Sequence, residues 1–157
     1  AQMDRFFIKL SLGYPTRTEE LEMLSGVGDK VHFEKIQAVS STEELCAMQE
    51  EIRGVHLDDS LKEYFVEIVQ KTRESKALKT GASPRASRCL YQGSKALAAV
   101  RGRDYVTPDD IQDLLIPVLS HRIQLSSEAR YSGKTAESVL SGIIESVEVP
   151  PKKEKMF

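Results

Sequence analysis

The repeat of apolar side chains between Leu61 and Thr72 constrains the fold of this chain more than any other feature. Side chains that suit a core recur at three- and four-residue steps, at Leu61, Tyr64, Phe65, Ile68, Val69 and Thr72. This spacing places them along one face of an α-helix. Asp58 or Asp59 suits the N-cap of that helix. Because such a stripe faces a core, the sequence predicts helices packed on one another.

Several other segments carry the same kind of signal, with capping residues before an apolar period. They predict helices over residues 19–24 after Thr18, from the Ser41/Glu44 capping box to about Arg53, from Pro84 to about Arg101, after Thr107 and Pro108, and from about Ala136 to Val147. Residues 6–12 alternate apolar and polar side chains, which is typical of a strand. We expect a loop over residues 29–40 with a short extended piece at 33–36, a flexible basic loop over 76–82, and an extended link over 121–125. The predicted fold class is mainly α, a bundle of four to five helices preceded by one strand.

Composition limits the function classes. The 157 residues carry a net charge of −2, which gives no general attraction to nucleic acid or anionic membranes. No apolar run is long enough to span a bilayer, and no signal peptide is visible. Cys46 and Cys89 fall in helical patterns, which favours buried thiols in a reducing, cytoplasmic compartment. Neither the cysteines nor the three histidines have metal-ligand spacing, so we predict no metal site.

The stretch Gly81-Ala82-Ser83-Pro84-Arg85-Ala86 is the first candidate site. Ser83 is a good N-cap and Pro84 fits the first helical position, which puts Arg85 in the first turn. The N-terminus of a helix already favours an anion, so a cation there is unfavourable unless both meet a shared anion. Two interpretations follow: a phosphate-sensing helix start, or a plain capped helix that carries a solvated arginine.

The stretch Ser132-Gly133-Lys134-Thr135 imitates the end of a P-loop. Glu128 occupies the position of the first glycine and would set a carboxylate beside the phosphates. The residues before it are also not a buried strand. We therefore reject a P-loop here, and we expect no ATP hydrolysis by this chain alone.

Several motifs together resemble one known family. They are Ala1-Gln2-Met3-Asp4-Arg5-Phe6, Leu12-Gly13-Tyr14-Pro15, the stretch 81–86, Gly102-Arg103-Asp104-Tyr105-Val106-Thr107-Pro108-Asp109-Asp110-Ile111, and Val118-Leu119-Ser120-His121-Arg122. In this order they closely resemble the C-terminal part of MoxR-family AAA+ ATPases. The resemblance implies the last strand of the α/β nucleotide-binding core followed by an all-helical lid. It divides the chain into residues 1–14 from the core, residues 15–148 as the lid, and residues 149–157 as a disordered tail.

The resemblance also implies roles for two arginines. Arg5 is expected to be the arginine finger, which reaches the ATP of a neighbouring subunit, and Arg85 the sensor-2 arginine, which reaches the γ-phosphate in its own subunit. Ser83 and Pro84 would lie beside that phosphate. The family's Walker A, Walker B and sensor-1 segments precede the matched part, so ATP and Mg²⁺ are expected in the intact protein and not as tight ligands of this chain.

The family implies a ring, expected to be a hexamer, that remodels client proteins and often works with von Willebrand factor A-domain partners. Tyr64 is either a contact to adenine or a core residue, as its spacing favours. Arg88 is either a further phosphate contact or part of a solvated face, and the pair His121-Arg122 has no expected role beyond packing or an interface. The alternative function is a stand-alone helical module that binds a protein or DNA, since Thr107-Pro108-Asp109-Asp110-Ile111 is a helix start that histone-like bundles also use.

Overall fold

The computed structural model describes residues 2–25 and 36–151, and their fold is mainly α-helical. The described residues form seven α-helices, one short 3-10 helix at Met3–Arg5 and one two-stranded sheet. In chain order the elements are α1 (Arg17–Leu24), α2 (Thr42–Gly54), α3 (Asp59–Glu74), β1 (Leu78–Thr80), α4 (Pro84–Val100), α5 (Pro108–Leu119), β2 (Gln124–Leu125), α6 (Ser127–Tyr131) and α7 (Ala136–Glu145). The predicted mainly-α fold class is confirmed. No described helix has the length and the apolar character needed to cross a membrane.

The chain divides into two compact units, one of Ala1–Lys9 with Glu50–Phe157 and the other of Leu10–Gln49. In the smaller unit, α1 begins from Thr16 and not from Thr18 as predicted. The Thr16 hydroxyl accepts from the Glu19 N–H, and the Glu19 carboxylate accepts from the Thr16 N–H at 2.6 Å. Thr18 lies inside α1 because this reciprocal box needs a glutamate three residues after the cap, and Thr16 has one.

Helix α2 begins as predicted, since the Ser41 hydroxyl and the Glu44 carboxylate cap one another's backbone N–H groups at 3.1 and 2.9 Å. Most of the extended piece predicted at 33–36 lies outside the described residues, as does most of the predicted tail. The predicted division of the chain at residues 14 and 148 stays a prediction.

The core of the larger unit lies among α3, α4, α5 and α7. Asp58 caps helix α3 with a carboxylate that accepts from the Ser60 N–H at 2.9 Å, and the whole predicted stripe of the helix is buried. Helix α3 packs on α4 and α7, and α5 packs on the same two helices. The fully buried large side chains include Ile68, Leu90, Ile111, Leu115, Leu119 and Leu140.

The spacing of Ala86, Leu90, Gly93, Leu97 and Val100 predicts the inner face of α4, and the structure departs from it in the last turns. Ala86, Leu90 and Gly93 are buried as expected, but Val100 is 84% exposed and Ala98 is buried instead. A straight α-helix drifts by about 20° per heptad relative to a seven-residue repeat. Two heptads after Ala86, the buried side has therefore moved away from Val100.

A short antiparallel sheet replaces the predicted flexible loop. Strand β1 pairs with β2, with Leu78 opposite Leu125 and Thr80 opposite Gln124. The prediction of a flexible loop over residues 76–82 was wrong. The partner strand lies more than forty positions later in the sequence, so no local pattern announces the pairing. Helix α6, which follows β2 directly, was also missed.

The predicted strand over residues 6–12 does not form in the described structure. The 3-10 helix Met3–Arg5 is followed by chain without regular structure, and the Lys9 N–H donates to the Pro117 carbonyl at 2.9 Å. A strand is stable only beside another strand. The alternation of side chains does not show whether a neighbouring strand is present. The prediction of a strand over residues 6–12 was wrong.

Candidate functional site

The start of α4 is held against the end of α3 by backbone contacts. Gly81 lies so close to α3 that a Cβ atom on it would stand 2.6 Å from the Cα and N of Arg73 and from the Thr72 carbonyl oxygen. The Ala82 N–H donates to the Thr72 hydroxyl at 2.9 Å, and Arg73 Nε donates to the Ala82 carbonyl at 2.8 Å. The glycine of the 81–86 stretch thus fixes where α4 begins.

Ser83 takes the N-cap position, but its side chain does not cap the helix. Its backbone is extended (φ −76°, ψ 167°), and Pro84 occupies the first turn as predicted. The Ser83 hydroxyl instead donates to the carboxylate of Asp4, with both oxygens at 3.0 Å. The prediction of a side-chain cap was wrong because Asp4, a stronger acceptor from a distant segment, takes the hydroxyl.

Arg85 lies in the first turn of α4 and is exposed. Within the described residues its guanidinium has no hydrogen bond or ion pair, and the same holds for Arg88 one turn later. The first turn of α4 contains no acidic side chain. An unpaired, permanently charged guanidinium at the positive end of a helix is an arrangement that suits a polyanionic ligand.

Arg5 ends the 3-10 helix Met3–Arg5, and its exposed side chain likewise has no hydrogen bond or ion pair among the described residues. Its neighbour Asp4 carries the hydrogen bond to Ser83. The two arginine-bearing motifs that the sequence singled out are therefore joined directly, although 79 positions separate Asp4 from Ser83.

For Arg122 no role beyond packing or an interface was expected, and its contacts with the N-terminal segment were missed. Its side chain is completely buried, and its guanidinium binds the carbonyls of Phe6, Phe7 and Val118 and the carboxylate of Asp4. His121 Nε2 lies 3.0 Å from the Phe6 carbonyl oxygen. The available signal was an arginine between apolar neighbours, with Val118 one turn before it and Ile123 directly after it.

Tyr64 lies in the core of α3 with 3% of its surface exposed. Its hydroxyl accepts a long hydrogen bond from Gln112 Nε2 at 3.4 Å. The position is the one that its helical spacing favours, and its contact to adenine stays a prediction without support from this geometry.

The stretch 132–135 joins α6 to α7 and offers no phosphate cradle. The N–H of Gly133 donates to the Arg130 carbonyl and that of Lys134 to the Ala129 carbonyl, both at 3.0 Å. The Thr135 hydroxyl caps α7 by accepting from the Ser138 N–H. These bonds occupy the donors that a P-loop would direct at a phosphate, which supports the rejection of that motif. Within residues 2–25 and 36–151, no three His, Cys, Asp or Glu side chains are grouped as metal ligands.

Residues 70–143 match the protein family described as the AAA lid domain. This segment includes α4, α5 and the Ser83-Pro84-Arg85 turn. The chain is also 45% identical over 151 residues to the uncharacterized protein YeaC of Bacillus subtilis. The matched region covers 96% of this chain and 47% of YeaC. It is 34% identical over 159 residues to the chaperone MoxR1 of Mycobacterium tuberculosis, which covers 96% of this chain and 42% of that one.

The resemblance to MoxR-family AAA+ ATPases is confirmed. Among solved structures, that of a candidate ATPase from Cytophaga hutchinsonii superposes on this chain with a TM-score of 0.83 at 31% identity. The match covers 96% of this chain and 48% of the other. The chain therefore spans about half the length of the relatives it matches.

Proposed function

We propose that this chain is the nucleotide-sensing lid segment of a MoxR-type ATPase, in which Arg85 is the sensor-2 arginine and Arg5 the arginine finger. The observation that carries the proposal is the Arg85 guanidinium, which is exposed, free of ion pairs in the described part of the chain, and placed at the start of a helix. That start is braced by Gly81 and Ala82 against α3.

The physical demand of the reaction fits these two side chains. Phosphoryl transfer spreads negative charge over the γ-phosphate oxygens, and arginine offers planar, permanently charged, bidentate donors for them. Arg85 adds its charge to the positive end of the α4 dipole. Because the first residues of α4 are tied to α3, a phosphate that attracts Arg85 pulls on the helical bundle and not on a loose loop.

Arg5 suits action on a neighbouring subunit. Its side chain projects from a 3-10 helix whose neighbouring residues Asp4 and Phe6 are held by Ser83 and Arg122. In the intact protein, bound ATP would supply the phosphoryl group, and Mg²⁺ would neutralise part of the charge that develops on it. This chain would orient and neutralise that group with Arg85, assisted by Ser83 and Pro84 at the same turn. It would also present Arg5 to the next subunit.

The assembly that this proposal requires is a homo-oligomeric ring, taken as a hexamer, acting in the cytoplasm as a chaperone-like ATPase. One of the relatives is a chaperone by name, and von Willebrand factor A-domain proteins are the partners that the family resemblance suggests. Residues 1–14 would belong to the α/β core and residues 15–148 to the lid.

The test of Arg85 uses steady-state ATP hydrolysis by the intact protein. We expect Arg85→Ala to slow turnover by about 10²-fold, the usual cost of one preorganised donor to developing charge. Arg130→Ala is the matched control, because Arg130 is an exposed arginine on α6 and not on α4. Wild-type turnover in Arg85→Ala would overturn the sensor role. The isolated 157-residue chain should be helical and hydrolyse no ATP.

The test of Arg5 is complementation between subunits. Arg5→Ala should slow hydrolysis by about 10³–10⁵-fold, as for arginine fingers in other nucleotide hydrolases. Mixing Arg5→Ala subunits with subunits inactivated in their own ATP site should restore part of the activity, because each mixed interface then holds one intact finger and one intact site. Absence of rescue in mixed rings of confirmed composition would contradict action in trans.

A further inference from the structure

We propose that Arg122 is a positioning residue for Arg5, and that it joins the segment Asp4–Phe7 to the helical bundle so that Arg5 and the start of α4 move together. This inference rests on the proposed function for the role of Arg5. The contacts of Arg122 stand independently of that role.

The guanidinium of Arg122 bridges three parts of the fold. It donates to the Val118 carbonyl on α5 and lies 3.2 Å from Cys89 Sγ on α4. Its remaining partners belong to the N-terminal segment: the carbonyls of Phe6 and Phe7, the latter at 3.1 Å, and the Asp4 carboxylate at 3.3 Å from Nε. Most of its acceptors therefore come from three residues of one short segment.

Burial makes these contacts hard to give up. An arginine stays charged at any physiological pH, and a buried charge is costly unless it is paired and hydrogen-bonded. The Arg122 side chain has no exposed surface, while Asp4 is 29% exposed. If the segment left the bundle, the guanidinium would keep only the Val118 carbonyl and a weak sulfur acceptor. The contacts to Arg122 therefore stabilise the packed position of the segment Asp4–Phe7.

Two further contacts, at Phe7 and at Lys9, hold the chain at the end of this segment. The Phe7 ring lies over the backbone of α4 at Gly93, where a Cβ atom would stand 3.4 Å from Phe7 Cζ. The Lys9 N–H donates to the Pro117 carbonyl at 2.9 Å. The segment is therefore held after Phe6 by these contacts and before it by Asp4, and Arg5 has a free side chain between the two.

Asp4 connects the contacts of Arg122 to the turn Ser83-Pro84-Arg85 at the start of α4. It accepts from Ser83 at the start of α4 and pairs with Arg122 after α5. A displacement of the α4 start, such as one that follows loss of the phosphate from Arg85, is transmitted through Ser83 and Asp4 to Arg5. By holding Asp4 and Phe6, Arg122 keeps this link between the site in one subunit and the finger that the same subunit offers to its neighbour.

The first test measures whether Arg122 holds the segment. Arg122→Lys keeps the positive charge but loses the planar set of guanidinium donors. Asp4→Asn removes the negative charge that pairs with Arg122 without altering the bundle core. Each variant should raise the rate of amide hydrogen exchange at Lys9 by about tenfold or more and leave exchange in α3 unchanged. The control variant Arg130→Lys should leave exchange at Lys9 unchanged. Unchanged exchange at Lys9 in both variants, with helical circular dichroism retained, would overturn the proposal.

The second test separates this inference from the proposed function. In the intact protein, Arg122→Lys should lower kcat for ATP hydrolysis with little change in KM, and the double variant Arg5→Ala/Arg122→Lys should be no slower than Arg5→Ala. A wild-type kcat in Arg122→Lys beside a slow Arg5→Ala would overturn the positioning role alone. A wild-type kcat in Arg5→Ala would remove the finger, and the exchange at Lys9 would still decide whether Arg122 holds the segment.

Discussion

The hydroxyl of Ser83 lies 3.0 Å from both carboxylate oxygens of Asp4, which precedes it by 79 positions. A serine before a proline-started helix is expected to cap that helix. Here the hydroxyl turns away from the helix and ties two arginine-bearing motifs together. The hydrogen bond therefore serves the arrangement of Arg5 and Arg85 more than the stability of α4.

A double-mutant cycle on Ser83 and Asp4 checks this assignment. We expect Ser83→Ala to lower the free energy of unfolding by about 1 kcal/mol in the wild type and by little in an Asp4→Ala background, because the two side chains share one hydrogen bond and alanine has no acceptor for it. Thr135→Ala is the control: Thr135 caps α7 through the Ser138 N–H, so its cost should add independently to that of Asp4→Ala. Urea denaturation supplies all values, and additive costs for Ser83 and Asp4 would contradict the assignment.

Local patterns predicted the helices well because their causes are local. The stripe from Leu61 to Thr72 repeats with the helical period, and the Ser41/Glu44 box lies within four residues, so both are visible in the sequence. The role of Ser83 and that of Arg122 depend on partners at Asp4 and Phe6. Nothing within one helical turn of either residue indicates those partners.

The candidate site was predicted in the same uneven way. Arg85 and Arg5 were identified from their motifs, and the structure leaves both side chains exposed. No local pattern indicated their connection, which is the Ser83–Asp4 hydrogen bond together with the buried Arg122 that pairs with Asp4. The alternation of residues 6–12 was misread as a strand: Phe7 contacts α4 at Gly93, whereas Leu10 and Leu12 are exposed.

Gly81 should be the most sensitive glycine of the described fold. Gly81→Ala would press a methyl group against backbone atoms of Arg73 and Thr72 at 2.6 Å, and backbone cannot turn aside as a side chain can. We expect it to lower the free energy of unfolding by about 2–3 kcal/mol. Gly142→Ala, in α7 with nothing within 4 Å of the added Cβ, should instead stabilise by about 0.5–1 kcal/mol. Thermal unfolding compares the two, and equal effects would contradict the close approach.

The hydroxyl of Thr72 should matter more than its methyl group for the start of α4. It is buried, donates to the Val69 carbonyl at 2.6 Å and accepts from the Ala82 N–H at 2.9 Å. Thr72→Val leaves that N–H unpaired, which costs about 1–3 kcal/mol, whereas Thr72→Ser keeps the acceptor. Amide exchange at Ala82 should therefore accelerate in the valine variant alone. Equal protection of Ala82 in both variants would show that the hydroxyl does not hold this turn.

Asp110 should make the stability of the bundle fall in acid. Its side chain is buried and pairs with Arg101 at 2.8 Å and Arg103 at 2.6 Å. Burial raises the pKa of Asp110, but hydrogen bonds from Arg103, the Thr107 backbone and Arg101 outweigh it and lower the pKa from 3.8 to about 2. Because the folded state holds the carboxylate more strongly than the unfolded state does, this contribution is present above pH 4 and is lost as the pH falls from 3.8 towards 2.

The pH dependence of unfolding tests this contribution, which amounts to about 2 kcal/mol from a shift of this size. The difference in free energy of unfolding between the wild type and Asp110→Asn should be largest above pH 4 and should shrink between pH 4 and pH 2. Asp59→Asn is the control, because the ion pair of Asp59 with Lys62 is on the surface and contributes about 0.5 kcal/mol or less. A difference between wild type and Asp110→Asn that stays constant from pH 6 to pH 2 would mean that the carboxylate does not stabilise the junction of α4 and α5 through its charge.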